Sequence, residues 1–438
     1  MWRAAPRSGN DAAHMTTSSF AAQPAATPRR VVVVGAGIVG LSCATFLRRD
    51  GHDVTVVDRL GPGEGTSFGN AGMVSPDTFT PIAMPGMLRK VPKWLSDPLG
   101  PLAVRWSYLP QALPWLIRWI RAGRLDRVEE LAKALRALHG PAFANYRALL
   151  GPDGFSDLIR LRGQLYLWKT DTPSETDRIA DRLRREQGVR CEEIGPDEIR
   201  QMEPTLAPGF RRGLYLPDNG STANPHRLCT MLAHNLRGAG GRVLQGSVTD
   251  IEMGADGIRR VITDAGPIDA DIVVVAAGAW SVRLTKRFGV RLPLESERGY
   301  HVMLPNPGPV PNRSISHRSG SFSISPMEHG LRLAGTVEIA GLDAPPDERR
   351  AQILLRQARE ALPTLNTEGA ETWMGHRPSF PDSLPVIDRA PGVPGVFLAF
   401  GHGHTGLTGA PTTGRVLADL VSGRTPAIDM RPYRADRF

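Results

Sequence analysis

Arg30-Val31-Val32-Val33-Val34-Gly35-Ala36-Gly37-Ile38-Val39-Gly40-Leu41 is the stretch that decides how this chain folds. Four β-branched residues lead straight into Gly-x-Gly-x-x-Gly, and a helical pattern follows from Ile38 to about Asp50. A turn at Gly51-His52 gives way to a second β-branched run, Val54 to Val57, and then to an acid, Asp58. Strand, tight turn, helix, strand and acid, in that order, read as a dinucleotide-binding unit. Gly35 lets the chain turn off the strand, Gly37 lets backbone N–H groups approach a pyrophosphate, and Gly40 lets the helix pack closely on the sheet. The helix start offers unpaired N–H groups and a partial positive charge to the phosphates. Asp58 is placed to accept hydrogen bonds from a ribose hydroxyl. The glycines alone say little, but with their strands, helix and acid they point to a dinucleotide without saying which.

At 438 residues the chain has material for two or three domains. Its 41% hydrophobic content, 47 Gly and 38 Pro suit a loop-rich globular enzyme. The net charge of +9 comes almost wholly from Arg scattered end to end, which argues against a nucleic-acid stripe and is mild attraction for anionic substrates or lipid. Cys43, Cys191 and Cys229 stand far apart with no CxxC pair, so neither a disulfide framework nor a zinc site is expected, and a reducing, cytoplasmic compartment is. Residues 1–28 read as a disordered tail in which Met15 is an alternative start. Arg29-Arg30 before an apolar run imitates a twin-arginine export signal, but that run holds the glycine motif and so begins the fold. No apolar run of 18 residues exists to span a membrane.

Farther along, Gly61 to Met73 forms a Gly-rich loop of the kind that wraps a flavin. Residues 88–124 hold Trp94, Trp106, Trp115 and Trp119 among Arg and Lys, with Asp97 the sole acid; this block reads either as a membrane-interfacial segment or as a helix that buries its Trp rings. Leu125 to Leu150 reads as one amphipathic helix ended at Gly151-Pro152. Leu158 to Lys169 reads as strand, Ser174 to Gln187 and Pro225 to Gly238 as helices, and Ala270 to Ser281 as a buried strand that delivers Ala277-Gly278 to the dinucleotide cleft. Residues 291–374 turn to short alternating strands and one helix, Pro346 to Ala361, as expected of an antiparallel sheet inserted into the first domain. The chain then returns through Gly375-His376-Arg377-Pro378 to a second Gly-rich loop, Gly401 to Thr408, that opens a helix. The fold class is therefore α/β with an α+β second domain. The dinucleotide domain comprises 29–85, 217–290 and 375–438, and the substrate domain 86–216 and 291–374.

Gly35-Ala-Gly37-Ile-Val-Gly40, Gly65-Thr-Ser-Phe-Gly-Asn-Ala-Gly-Met73, Ala276-Ala-Gly278-Ala-Trp280, Gly299-Tyr300, Arg377-Pro378 with Asp382, and Gly401-His-Gly-His-Thr-Gly-Leu-Thr408 together resemble the FAD-dependent D-amino-acid dehydrogenase group. That group sits within the D-amino-acid oxidase, glycine oxidase and sarcosine oxidase superfamily, and the similarity covers about residues 29–434. The resemblance implies a Rossmann-like FAD domain with an inserted sheet domain. Gly35, Gly37 and Gly40, with Ile38 and Val39, would cradle the pyrophosphate, and Asp58, beside Arg59, would hold the ribose. Ser67, Asn70, Ala71, Gly72 and Met73 would follow the ribityl chain and flavin ring. Val248 would bracket the adenine, and Ala277 and Gly278 would abut the pyrophosphate. Gly401, His402, Gly403, Thr405, Gly406, Leu407 and Thr408 would meet the pyrimidine end. The ribose acid is more often Glu in FAD proteins, a departure at Asp58 that favours the nicotinamide alternative slightly.

The chemistry implied is oxidation of an amine α to a carboxylate, with hydride passing from Cα to flavin N5. Such a reaction needs no strong protein base, and no triad or paired carboxylates are evident. Arg377 is the first candidate for the substrate carboxylate because its fork binds both oxygens. Tyr300 and Arg298 compete for the same role. His402 and His404 are candidates to bond the flavin or deprotonate the amine; a metal at this H-x-H is not expected. Substrate would be a D-amino acid, a D-configured imino acid such as hydroxyproline, or an N-methyl glycine. Electrons would go to a quinone, met by peripheral contact of 88–124 with the cytoplasmic face of the inner membrane, or to oxygen as in sarcosine and glycine oxidases. An NAD-dependent dehydrogenase and a non-catalytic flavin-binding module remain the alternatives.

Overall fold

Arg30–Val34 lies in the middle of a six-stranded sheet, between Asp53–Asp58 and Ile272–Val275. The structure is a computed structural model that describes residues 27–87, 100, 102–254 and 257–438. Across the sheet the order is Arg242–Gln245, Asp53–Asp58, Arg30–Val34, Ile272–Val275, Val396–Phe400 and Val386–Arg389. The first five strands are parallel and the last is antiparallel. Parallel strands must be covered on both faces, and the alternation of the Val run shows how. Val31 and Val33 join a core with Leu41, Leu47 and Leu417 of the helices Ile38–Arg49 and Gly406–Val421. Val32 and Val34 join a second core with Val261, from a three-stranded antiparallel sheet on the other face. The two helices approach so closely that a Cβ on Gly414 would lie 2.6 Å from the Ser42 carbonyl and 2.9 Å from the Cys43 nitrogen.

The second sheet has nine strands and is mostly antiparallel. Its order runs from Glu371–Ser379 through Glu295–Leu304, Gly330–Ile339, Phe322–Met327, Ser314–His317, Gln164–Trp168 and Arg212–Leu216 to Glu192–Ile194, with Leu102–Val104 paired to Gly330–Ile339. Helix Arg349–Ala361 covers one face, packing Ala351, Leu354 and Ala358 on Tyr300, Val302, Phe322 and Leu333. The other face looks toward the first sheet and becomes one wall of the cleft described below.

Several expectations need correction. The single helix expected over Leu125–Leu150 is two, Leu125–His139 and Ala142–Leu158, divided at Gly140-Pro141, where proline lacks the N–H a continuing helix needs. The second runs past Gly151-Pro152, with Gly151 at φ 71°, ψ 174° absorbing a kink. Both helices pack on Gly406–Val421. The large sheet also continues beyond residue 374, because Gly375 is no break. The strand passes flat through it, and the Trp373 ring fills the space where its Cβ would be.

The Trp-rich block divides as well. Trp94 and the basic residues at 89, 90 and 93 lie outside the described residues, as does the expected tail apart from residues 27 and 28. Trp115 and Trp119 are not interfacial. They stack within the core at a centroid separation of 6.3 Å, and Trp115 Nε1–H donates to the Ser379 carbonyl at 3.1 Å. What helix Leu109–Ala122 exposes instead is Leu113 and Ile117. Among the described residues no helix is long and apolar enough to cross a membrane.

Because the contact at Gly414 is backbone against backbone, it has little room to yield. Gly414→Ala is expected to destabilise the fold by about 1–3 kcal/mol, the usual range for overpacking, and thermal unfolding of the purified variant measures this.

Candidate active site

A cleft of about 1170 Å³ opens between the two sheets. Pockets for single small molecules occupy roughly 300–1,000 Å³, so this one accommodates a dinucleotide and a small second ligand. At one end Gly35 takes φ 116°, and a Cβ there would lie 2.4 Å from the Ala276 carbonyl oxygen. A Cβ on Gly40 would come within 1.9 Å of the Gly35 carbonyl. Helix Ile38–Arg49 starts at Gly37 with no side-chain cap. Asp58 accepts the Ala36 N–H at 2.7 Å and the Leu60 N–H at 2.9 Å, and Ser67 Oγ accepts the Ile38 N–H at 3.0 Å. Ile38, Val39, Val248, Ala277 and Gly278 line this end. Arg59 lies over the Trp280 ring, 4.2 Å from its centroid. A helix start whose N-cap is a glycine, glycines that admit no Cβ and a carboxylate at the neighbouring strand end fit a dinucleotide pyrophosphate and ribose. Gly40 supports this end from behind and is not on the cleft wall.

The Gly65–Met73 loop brings Ser67, Asn70, Ala71 and Met73 to the wall. Gly72, at φ 72°, turns behind it, donating to Asn70 Oδ1 at 2.8 Å and accepting the Thr222 N–H at 2.7 Å. The loop is held from the opposite sheet. Arg332 donates to the carbonyls of Phe68 at 2.9 Å and Asn70 at 2.6 Å, and His301 Nδ1 to that of Gly69 at 3.2 Å. Arg332 has one signal in the sequence, a cation set between two leucines, Leu331-Arg332-Leu333.

The second glycine loop closes the cleft at the start of helix Gly406–Val421. Gly401 sits at φ 92° with the Phe380 ring where its Cβ would be, and Gly403 at φ 52°. Thr408 Oγ1 accepts the Ser75 N–H at 3.0 Å, and the Leu407 carbonyl accepts the Tyr146 hydroxyl at 2.6 Å. Thr405 and Gly406 line the cleft. His402 is buried, with Nε2 2.8 Å from Thr413 Oγ1, and burial pushes it down to about 3, so it is neutral.

Arg377 meets the cleft where the two domains touch. It stands directly across from Glu297 in the pair Glu371–Ser379 and Glu295–Leu304. Its guanidinium passes over Gly299, where a Cβ would be 2.1 Å from the guanidinium carbon, and donates to the Thr336 carbonyl at 3.0 Å. Thr336 takes φ 54° at a bulge in Gly330–Ile339, which aims that carbonyl at Arg377. Burial holds the Arg377 guanidinium below its ordinary range. His404, from the second glycine loop, reaches the same corner with Nε2 2.5 Å from Glu297 Oε2.

Tyr300 lines the cleft, but its hydroxyl is engaged elsewhere, and Arg298 is not on the cleft wall. Side chains alternate along a strand, and these two point to the helix-covered face. The Tyr300 hydroxyl donates to Glu338 at 2.7 Å and accepts the Asp347 N–H at 2.8 Å, and burial pushes it up to about 12. Arg298 is fully buried, donating to the carbonyls of Gly341 at 2.9 Å and Pro345 at 3.1 Å. Both hold the 340–347 loop.

The family model described as "FAD dependent oxidoreductase" (DAO) matches residues 30–420. The chain is 41% identical over 417 residues to a D-amino-acid oxidase of Bradyrhizobium diazoefficiens, covering 94% of this chain and 99% of that one. It is 36% identical to a D-amino acid dehydrogenase of Paramagnetospirillum magneticum, covering 93% and 99%. Among solved structures, glycine oxidase from Geobacillus kaustophilus aligns with a TM-score of 0.70 at 25% identity, covering 94% and 99%.

Burial depresses His301 and His402 to about 3, and His139, His317 and His376 to about 4. In the unfolded chain these imidazoles take up protons near their ordinary value of about 6.5. Between about pH 6.5 and 4 the unfolded state therefore binds more protons than the native one, and stability falls as pH falls. The thermal midpoint is expected to drop steadily over that window, and a pH series of unfolding scans tests it; a flat profile would contradict the burial of these rings.

Proposed function

The chain belongs to the DAO family of FAD-dependent oxidoreductases, and on that footing we propose that it oxidises the C–N bond of D-amino acids or D-configured imino acids. It is an enzyme that acts on amino-acid donors with FAD as cofactor. The observation that carries the substrate reading is Arg377. Its guanidinium opens on the cleft and donates to the Thr336 carbonyl at 3.0 Å. A desolvated planar fork in that setting suits a carboxylate that accepts two N–H bonds. Beyond Arg377 the cleft continues across Thr336, Ser323, Ser316 and Tyr166. Adjacent strands are about 4.8 Å apart, so this arm leaves room for sizeable side chains and favours amino acids over sarcosine or glycine. The D configuration is supported by the names of the two relatives.

Within this reading the first glycine loop, with Asp58, holds the nucleotide end, and Ser67 and Asn70 follow the ribityl chain and flavin ring. The start of helix Gly406–Val421 offers a positive dipole end to the far part of the cofactor. When bound, FAD would supply the acceptor for the hydride from Cα, which carries both electrons. Arg377 fixes the carboxylate, and the walls exclude water. Anaerobic mixing with a panel of amino acids is expected to bleach the flavin with D-amino acids and not with sarcosine. Losing charge-assisted hydrogen bonds costs about 1.5–3 kcal/mol, so Arg377→Ala is expected to lower kcat/KM roughly 10- to 100-fold through weaker carboxylate binding. Unchanged kinetics in that variant would remove Arg377 from the role.

A second reading concerns the acceptor. Trp106, Leu113 and Ile117 are 65%, 49% and 42% exposed, with Arg118 and Arg121 exposed beside them. Leu113 and Ile117 share a helix face, and apolar side chains next to Arg suit the surface of an anionic bilayer, where a quinone would collect the electrons. Cosedimentation with vesicles containing phosphatidylglycerol is expected for the native chain and lost in Leu113→Asp/Ile117→Asp. Equal binding by the two proteins would overturn it and leave oxygen as the simpler acceptor.

A further inference from the structure

Glu297 has no part in the reading above, yet it stands opposite Arg377 on the face that meets the cleft. Its side chain is 5% exposed, while that of His404 is 34% exposed and lines the cleft. The 2.5 Å contact between them joins the substrate sheet to the second glycine loop. A carboxylate on one imidazole nitrogen fixes the tautomer: Nε2 carries the hydrogen, and Nδ1 is left as an acceptor. Among the described residues no hydrogen bond to His404 Nδ1 is present. Other ionisable groups also meet this corner, among them Arg350, whose charge acts on Arg377, and His376, whose Nδ1 lies 2.8 Å from Ser296 Oγ. Arg377 is cationic, Glu295 accepts the Tyr108 hydroxyl at 3.2 Å, and His402 is neutral and bound to Thr413. Burial alone would raise the Glu297 carboxyl, but His404 and then Arg377 outweigh it and hold the group below its ordinary range.

At neutral pH an amino acid arrives as an ammonium, and its nitrogen lone pair must be free before Cα can lose hydride. We propose that Glu297 and His404 form a carboxylate-oriented proton acceptor for the ammonium group of the substrate bound at Arg377. One N–H bond of the ammonium breaks, and the proton bonds to His404 Nδ1. The nitrogen keeps the electron pair, and the Glu297 carboxylate balances the imidazolium. No oxidant enters this step. His404 is then a catalytic residue, and Glu297 a positioning residue that acts through it. The inference rests on the reading of Arg377 as the carboxylate anchor.

The test uses FAD-loaded enzyme and two ligands that cannot be oxidised: 2-methylalanine, which lacks a Cα hydrogen, and isobutyrate, which lacks the amine. Binding is followed by the flavin spectrum across pH 5–10, with flavin reduction by D-alanine measured in parallel. In the native enzyme 2-methylalanine is expected to tighten with rising pH from below neutrality, and isobutyrate to show no such limb. His404→Asn should remove that limb and leave the reduction rate to rise only where the free amine itself loses its proton, and Glu297→Gln, which removes the anion that balances the imidazolium, should move the binding limb downward and slow reduction at neutral pH. Isobutyrate affinity should stay within twofold, and Glu297→Asp should restore part of the native profile. Unshifted limbs in both variants would overturn the proposal. Isobutyrate binding that is indifferent to Arg377→Ala would instead overturn the underlying reading of the site.

Discussion

The carbonyl of Gly35 lies where a side chain on residue 40 would have to begin, 1.9 Å from the position of a Cβ there. That approach sets how near helix Ile38–Arg49 comes to its strand, and so where its uncapped N–H groups point. Other walls of the cleft are referred to the same corner. Asp58 is drawn onto Ala36, and Ser67 onto Ile38. Helix Gly406–Val421, which carries the second glycine loop, packs on Ile38–Arg49 at Gly414. A pyrophosphate needs bare backbone donors, and bare backbone needs glycine on both sides of the turn.

The second domain answers that frame by reaching across. Arg332 and His301 bond the carbonyls of the Phe68–Asn70 turn, and His404 meets Glu297 from the opposite direction. The cleft is thus held at two interdomain seams, one on each glycine loop. Arg377 lies at the second, with its guanidinium over Gly299 and its aim set by the bulge at Thr336. Guanidinium groups and imidazoles serve as the ties because the partners are backbone carbonyls and a buried carboxylate, groups that demand N–H donors when water is absent.

Local features were legible in the sequence and long-range ones were not. The glycine unit and the helices at Pro225–Gly238 and Glu175–Glu186 each depend on a few adjacent residues, and spacing revealed them; Asn70 and Thr408 came from the family resemblance and line the cleft. The capping box at Ser174 is such a signal. The partners of the Tyr300 hydroxyl and the Arg298 guanidinium were not legible, because the face a strand residue presents depends on pairing register, which no local pattern encodes. The same blindness hid Glu297, whose meaning appears only when Arg377 and His404 arrive from distant segments. Composition left Trp115 and Trp119 open between a membrane interface and burial, and helix geometry turns both rings inward beside Ser379. The break at Gly140-Pro141 was present in the sequence, but the stronger pair at Gly151-Pro152 drew the boundary.

The central claim is that one cleft holds the dinucleotide on Gly35 and Gly37 and presents the substrate carboxylate to Arg377. A crystal structure of the FAD-loaded enzyme with a bound carboxylate ligand measures this most directly. The account predicts the pyrophosphate against the start of helix Ile38–Arg49 and both carboxylate oxygens within hydrogen-bond distance of the Arg377 guanidinium. A carboxylate seated elsewhere, with Arg377 still bonded only to the Thr336 carbonyl, would contradict it.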